Sequence, residues 1–132
     1  MPDFTFKKEE KLKSHILIEQ MFQRKGQSFG LFPLRLIYLE MENTKNEFPI
    51  QFTLSVPKRA FSKAVDRNRI RRMIRETWRL NKHRLYEKLE DENRHFAFMV
   101  LYTAKEPFEY DKIEEAMKRM IKRFIKKELG RD

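Results

Sequence analysis

From Ser62 to Lys82 the sequence reads SKAVDRNRIRRMIRETWRLNK, and eight of these 21 residues are Lys or Arg (Lys63, Arg67, Arg69, Arg71, Arg72, Arg75, Arg79 and Lys82), against two acids, Asp66 and Glu76. Guanidinium forks bond phosphate oxygens in pairs, and a run of cations displaces counterions from a polyanion, so the chemistry this stretch can do is phosphate binding. Asn68 carries both donors and an acceptor, which suits phosphate, ribose or base. Covalent chemistry has poorer candidates. His15, His83 and His95 are scattered without ligand spacing. The adjacent acids Asp91-Glu92 and Glu114-Glu115 lie in polar segments, as solvated surface does, rather than in the arrangement of a two-metal site. There is no Gly-rich phosphate loop and no nucleophile motif. No catalytic residue and no metal site are expected on the protein itself.

The cations need a helix to align them. Ile70, Met73, Ile74 and Thr77 recur at i, i+3, i+4 and i+7, and at ~100° per residue they fill an arc of roughly 100°. Arg67, Asn68, Arg71, Arg72, Arg75, Arg79 and Lys82 occupy another arc, about 140° wide, on the same wheel. Arg69 falls outside it, beside Glu76, and is expected to be oriented by that acid. Trp78 projects at the border of the two arcs and is read as core. The apolar arc suits a sheet and the cationic arc suits phosphate.

The remaining chain supplies that sheet. Ser14 is the expected N-cap of a short helix reaching about Lys25 and stopped by Gly26, with Leu17/Met21 and Ile18/Phe22 packing on the sheet. Phe29 to Met41 reads as strand, with Leu34, Leu36 and Tyr38 on one face, Arg35, Ile37 and Leu39 on the other, and Pro33 as an edge feature or interruption. Ile50, Phe52, Leu54 and Val56 mark a second strand, and the short polar loop between the two predicts an antiparallel hairpin. Leu85 and Leu89 indicate a further helical segment after the basic helix. His95 to Thr103 reads as a strand covered on both faces. Asp111 and Glu114 suggest a capping box for a last helix whose stripe is Ile113, Met117, Met120, Ile121, Phe124 and Ile125. Residues 1–10 read as an extended tail whose aromatics, Phe4 and Phe6, tuck onto the core.

Composition bounds the partners. A chain of 132 residues fits a single domain, and thirty Lys and Arg against twenty Asp and Glu give a net charge of +10. That field favours polyanions, nucleic acid first and anionic membrane second. With 40% hydrophobic and 13% aromatic residues the chain should fold rather than form a basic disordered tail. The absence of cysteine excludes disulfides and thiolate metal sites. The N-terminus lacks an apolar signal region, and the longest apolar run, Phe96 to Tyr102, falls far short of the ~20 residues of a membrane span, so a soluble cytoplasmic protein is expected.

The basic stretch also carries an ordered motif. Phe61-x-x-Ala64-x-x-Arg67-Asn68-x-x-Arg71-x-x-x-Arg75 resembles the signature of the protein subunit of bacterial ribonuclease P, whose hallmark is an Arg-Asn-Arg triplet, here Arg67-Asn68-Arg69. The Leu12-Lys13 start, the short helix with Phe22, the strand with Tyr38, the Leu54-Ser55-Val56-x-Lys58 run and the closing amphipathic helix follow in family order, so the resemblance covers about residues 11 to 127. It implies an α+β fold: a single-domain α/β sandwich, order α-β-β-β-α-β-α, in which the basic helix joins two parallel strands by a left-handed crossover, against the usual right-handed rule. It also implies a role. The family's protein binds the catalytic RNA and the 5′ leader of precursor tRNA, while the RNA hydrolyses the leader with Mg2+; the protein binds no cofactor and neither membrane nor DNA is a partner.

Carried onto this sequence, the resemblance implies RNA contacts from Lys58, Arg59, Arg67, Asn68, Arg69, Arg71, Arg72, Arg75 and Arg79. It implies a leader cleft at Ile18, Phe22 and Tyr38. Ile18 stands where the family often has an aromatic, and one extra residue separates Phe22 from Gly26. Phe22 and Tyr38 would stack on unpaired bases without demanding a sequence; read as residues alone, they fit ordinary core as well. Two other readings share the charge: a ribosomal protein or RNA chaperone, which would lack the ordered motif, and a membrane-surface protein, disfavoured because the helices need their apolar faces for the core.

Overall fold

The computed structural model describes residues 5–42, 47–58, 61 and 63–130. Helix α1 (His15–Gln20) begins where Ser14 Oγ accepts the Leu17 N–H at 3.2 Å. At Met21 it widens into a π-helical turn that runs to Lys25. A π turn accommodates more residues than an α turn, and this one carries the chain from Met21 to Gly26. Gly26 suits a close approach, since a Cβ there would stand 3.1 Å from the carbonyl oxygens of both Met21 and Tyr38.

The expected single strand from Phe29 to Met41 is a hairpin. Strand β1 (Gln27–Leu31) turns at Phe32 and Pro33, whose peptide bond is cis, into β2 (Leu34–Met41), and the two pair antiparallel. Strand β3 (Ile50–Ser55) does not pair with β2 as the polar loop suggested. The chain continues through α2 (Ala64–Asn81) and α3 (His83–Glu92), which ends on the left-handed Asn93, into β4 (His95–Tyr102). Strand β4 lies between the two expected partners, antiparallel to β2 and parallel to β3, giving the order β1-β2-β4-β3. The reason is burial: Phe96 to Val100 are buried without alternation, and only an inner strand is covered on both faces. The parallel pair joined through a helical crossover is the arrangement the resemblance implies.

Two layers cover the sheet. Leu36, Tyr38, Ile50, Phe52, Phe96, Phe98 and Val100 face α2, α3 and α4 (Tyr110–Leu129), and the residues of opposite parity, Ile37, Ala97 and Met99, face α1 together with Leu12 and Met21. Trp78 stacks on Phe52 with ring centroids 4.5 Å apart, and Phe124 meets Tyr38, Phe96 and Phe98 at 4.9, 5.0 and 4.8 Å. The predicted apolar stripes of α2 and α4 are the buried ones. The capping box of α4 is not formed. Tyr102 Oη donates to the Glu106 carbonyl (2.8 Å) and accepts the Phe108 N–H (3.0 Å), holding the preceding loop so that the helix starts at Tyr110. Asp111 then sits inside the first turn, where its charge complements the helix dipole.

The N-terminal segment is not a loose tail over its described part. Phe6 packs edge-on to Phe52, Glu10 is buried, and the Leu12 N–H donates to the Phe52 carbonyl at 2.9 Å. The segment therefore runs along the outer edge of β3, whose backbone would otherwise be open to strand addition. Phe4 lies outside the described residues.

Arg94 joins the last residues of β2 to α4. Its guanidinium donates to both Glu40 carboxylate oxygens (2.9 and 2.8 Å) and to the Glu128 carbonyl (2.8 Å). These hydrogen bonds hold the Glu40 carboxyl below its usual pKa, against the opposing effect of partial burial. A depressed carboxyl stabilises the fold above its unfolded pKa, and that contribution is lost as pH falls through the folded value. The Tm advantage of the wild type over Glu40→Gln should thus be full at neutral pH and should vanish as pH drops below the ordinary carboxylate value of 4.5 in a thermal melt series.

Candidate nucleic-acid interface

Packing decides which cations α2 can offer. With Ile70, Met73, Ile74, Thr77 and Trp78 buried against the sheet, Asn68, Arg69, Arg72 and Arg75 are left exposed and Arg71 partly so. Arg67 is half-buried, and its Nη1 donates to the Phe61 carbonyl at 2.6 Å, tying the first turn of the helix to the preceding loop. Arg71 Nη1 lies 3.5 Å from Asn68 Oδ1, so the two polar heads share one patch. Glu76 pairs with Arg79 rather than orienting Arg69: Arg79 Nη2 donates to Glu76 Oε1 at 2.5 Å. On a helix both spacings reach across a turn or two, but i to i+3 brings heads together where i to i+7 does not. Arg79 is thereby partly neutralised and Arg69 points to solvent. Lys58 is exposed just beyond β3, and Arg59 lies outside the described residues.

Arg71 and Arg75 form one wall of a groove of about 510 Å³ over the outer edge of β3. Lys11 and Lys13 stand on the other wall, and Phe6, Leu12, Phe52, Thr53 and Leu54 line the remainder. Neither lysine was among the expected site residues: Lys11 follows the extended segment 1–10, and Lys13 belongs to the Leu12-Lys13 start of the family pattern. The signal was present: Lys11 and Lys13 flank Leu12, and a buried residue between two exposed ones is strand alternation. Two cationic rows across a low-dielectric cleft concentrate positive potential and suit a phosphodiester chain. A second groove, between α3 and α4, has an apolar floor of Ile121 and Ile125 and a rim of Arg84, Lys88, Lys118 and Lys122. It shares the charge and none of the motif residues.

The three expected cleft residues separate. Ile18 packs partly against Ile37, Ala97 and Met99 on the α1 face. Phe22 is turned outward by the π-helical turn and is 58% exposed, a ring free to stack. Tyr38 is a correction: it is 2% exposed and faces the opposite, helical layer, so Ile37 is the β2 residue that looks toward α1. Tyr38 shares parity with Leu34 and Leu36, and a strand cannot send such residues to different faces. Its Oη donates to Glu128 Oε2 at 2.6 Å; burial first, then this bond, raises the phenol pKa far above its usual value. Tyr38 is a structural anchor for the end of α4. Among the described residues no three His, Asp or Glu side chains converge as a metal-holding group.

Two outcomes follow from this geometry. Arg71→Ala should lower the slope of log affinity against log salt for a structured RNA by roughly 0.7–0.9, one phosphate contact, in a filter-binding titration. Tyr38→Phe should instead lower unfolding free energy by about 1–3 kcal/mol in a urea melt, as expected for a lost bond to a carboxylate, and leave RNA affinity unchanged.

Known proteins agree with this arrangement. The ribonuclease P family profile matches residues 6–125. The ribonuclease P protein component of Porphyromonas gingivalis W83 is 30% identical over 123 residues, covering 91% of this chain and 86% of that protein. That of Dictyoglomus thermophilum is 38% identical over 87 residues, covering 66% and 68%. Among solved structures, the Staphylococcus aureus RNase P protein superposes with a TM-score of 0.66 at 20% identity, over 87% of this chain and 94% of that one. The Thermotoga maritima RNase P protein gives 0.65 at 19% identity, over 86% and 96%. These structures share the fold, and the family profile spans the basic helix together with the strands and helices that hold it. With motif, fold and sequence in accord, the chain belongs to the ribonuclease P protein family.

Proposed function

We propose that this chain binds the catalytic RNA of ribonuclease P and the 5′ leader of precursor tRNA, and so assists removal of the leader to leave the mature tRNA 5′ end. The observation that carries the reading is the Arg67-Asn68-Arg69 end of α2, with Asn68 and Arg69 exposed, continuing into Arg71, Arg72 and Arg75 beside a groove whose far wall is also cationic. Arginine forks on phosphate give affinity and register, and they carry no sequence information. That suits a protein that assembles on one RNA and tolerates many leaders. Phe22 supports the second half of the reading, because an exposed ring stacks on any unpaired base.

In this reading the protein performs no covalent step. Hydrolysis belongs to the RNA, whose bound magnesium ions supply the Lewis-acid chemistry. This chain contributes positive charge at the RNA backbone and a stacking surface for the leader, which raises local substrate concentration and fixes orientation. A ribosomal or chaperone role needs only the charge and is not favoured by the family match.

Reconstitution tests the reading. Added to a bacterial ribonuclease P RNA and precursor tRNA at low magnesium, the chain should speed leader removal over the RNA alone; an unchanged rate would remove it. Phe22→Ala should lose about 1–3 kcal/mol of the preference for precursor over mature tRNA, the worth of one stacked base, while leaving assembly with the catalytic RNA intact. Equal loss for both tRNAs would make Phe22 a structural residue.

A further inference from the structure

Lys82 closes the predicted cationic arc of α2, yet it is not displayed. It sits at the junction of α2 and α3, 2% exposed, paired with Glu10, which is 1% exposed. The Lys82 ammonium also donates to the Thr5 carbonyl, and it lies 5.4 and 5.1 Å from the ring centroids of Phe6 and Tyr86. Tyr86 Oη donates at 2.7 Å to the same Glu10 oxygen that Lys82 reaches. The other Glu10 oxygen accepts the Lys7 N–H at 2.7 Å. Both charges are therefore solvated by the protein instead of water.

A buried ion pair adds little net stability over a hydrophobic pair of the same volume. What it supplies here is register. A slip of one residue in the N-terminal segment would set Glu9 or Lys11 against Lys82, and Lys11 would bring like charges together in a site without water. Charge excludes Lys11, and the Leu12 N–H bond to the Phe52 carbonyl opposes the slip to Glu9, so Glu10 meets Lys82, and the consequence appears one to three residues later. Leu12 joins the core under α1, its N–H is held by the Phe52 carbonyl, and Lys11 and Lys13 are left on the groove wall facing Arg71 and Arg75.

We infer that Glu10, Lys82 and Tyr86 are positioning residues for RNA binding: a buried clasp that stretches residues 5–13 across the β3 edge so that Lys11 and Lys13 complete a two-walled phosphate groove. The inference rests on the RNA-binding reading above. None of the three touches the RNA. They act by holding two cations at a fixed distance from two others, and with the segment released from the β3 edge those two phosphate contacts are not made.

The test is a mutant cycle read by the salt dependence of binding of the full chain to a bacterial ribonuclease P RNA. Lys11→Ala with Lys13→Ala should lower the log–log slope by roughly 1.4–1.8, two phosphate contacts. Glu10→Gln should produce a comparable loss, and adding it to the double variant should produce no more. A thermal melt establishes that each variant is folded at the assay temperature. Where Glu10→Gln is not, Tyr86→Phe removes one hydrogen bond of the clasp, and its smaller loss must likewise disappear in the Lys11→Ala, Lys13→Ala background. Additive losses, or a full slope in a folded clasp variant, overturn the clasp and leave the RNA-binding reading standing. Failure of the wild-type chain to bind the RNA overturns both.

Discussion

The structure depends on burying a strand that has no polar face. Strand β4 presents Phe96, Phe98 and Val100 to one side and Ala97 and Met99 to the other, so water must be excluded from both. That demand places β4 inside the sheet and calls for a layer above and a layer below. The upper layer is α2, α3 and α4, joined to the sheet by the aromatic cluster around Trp78 and Phe124. The lower layer is the short α1 with Leu12. Because α2 is pressed onto the sheet through its apolar arc, its cationic arc faces outward over the β3 edge. The interface is in this sense a by-product of core packing: the same burial that stabilises the helix orients its arginines.

Two electrostatic clusters of different kinds tie the sheet to what covers it. Beside β2, Arg94 gathers Glu40 and the last turn of α4 in a partly exposed cluster, with Tyr38 Oη on Glu128. Exposed pairs of this kind are screened and contribute modestly. At the β3 edge the pair is Glu10 and Lys82, fully buried and completed by Tyr86, and there geometry matters more than stability. An edge strand must be covered by something. Here the cover is a lysine-bearing segment, so protection of the edge and construction of the groove are one feature.

Much of this was legible in one dimension. The stripes of α2 and α4, the core position of Trp78, the doubly buried β4 and the Ser14 cap all follow from periodicity, since a helix or strand turns side chains through a fixed angle per residue. The motif around Arg67-Asn68-Arg69 was equally plain. The errors have distinct causes. Tyr38 was assigned to the cleft although its parity with Leu34 and Leu36 points it into the core. Arg69 was given to Glu76 from a wheel projection, which ignores the rise along the axis that keeps residues seven apart from meeting. The predicted hairpin of β2 with β3 followed from loop length, and loop length does not say whether a later strand enters between them.

By itself, then, the sequence determined which residues are core, which helix carries the phosphate-binding arginines and which family the chain resembles, because these are local properties of residue type and spacing. Only the tertiary structure decided that β4 separates β2 from β3, that Phe22 is turned outward by a π-helical turn, and that Lys82 is withdrawn from the cationic face to hold Glu10. Each of those outcomes depends on contacts between segments far apart in the chain, such as Glu10 with Lys82. The physical reason is that burial and pairing are settled by which surfaces meet, and no periodicity within one segment contains that information.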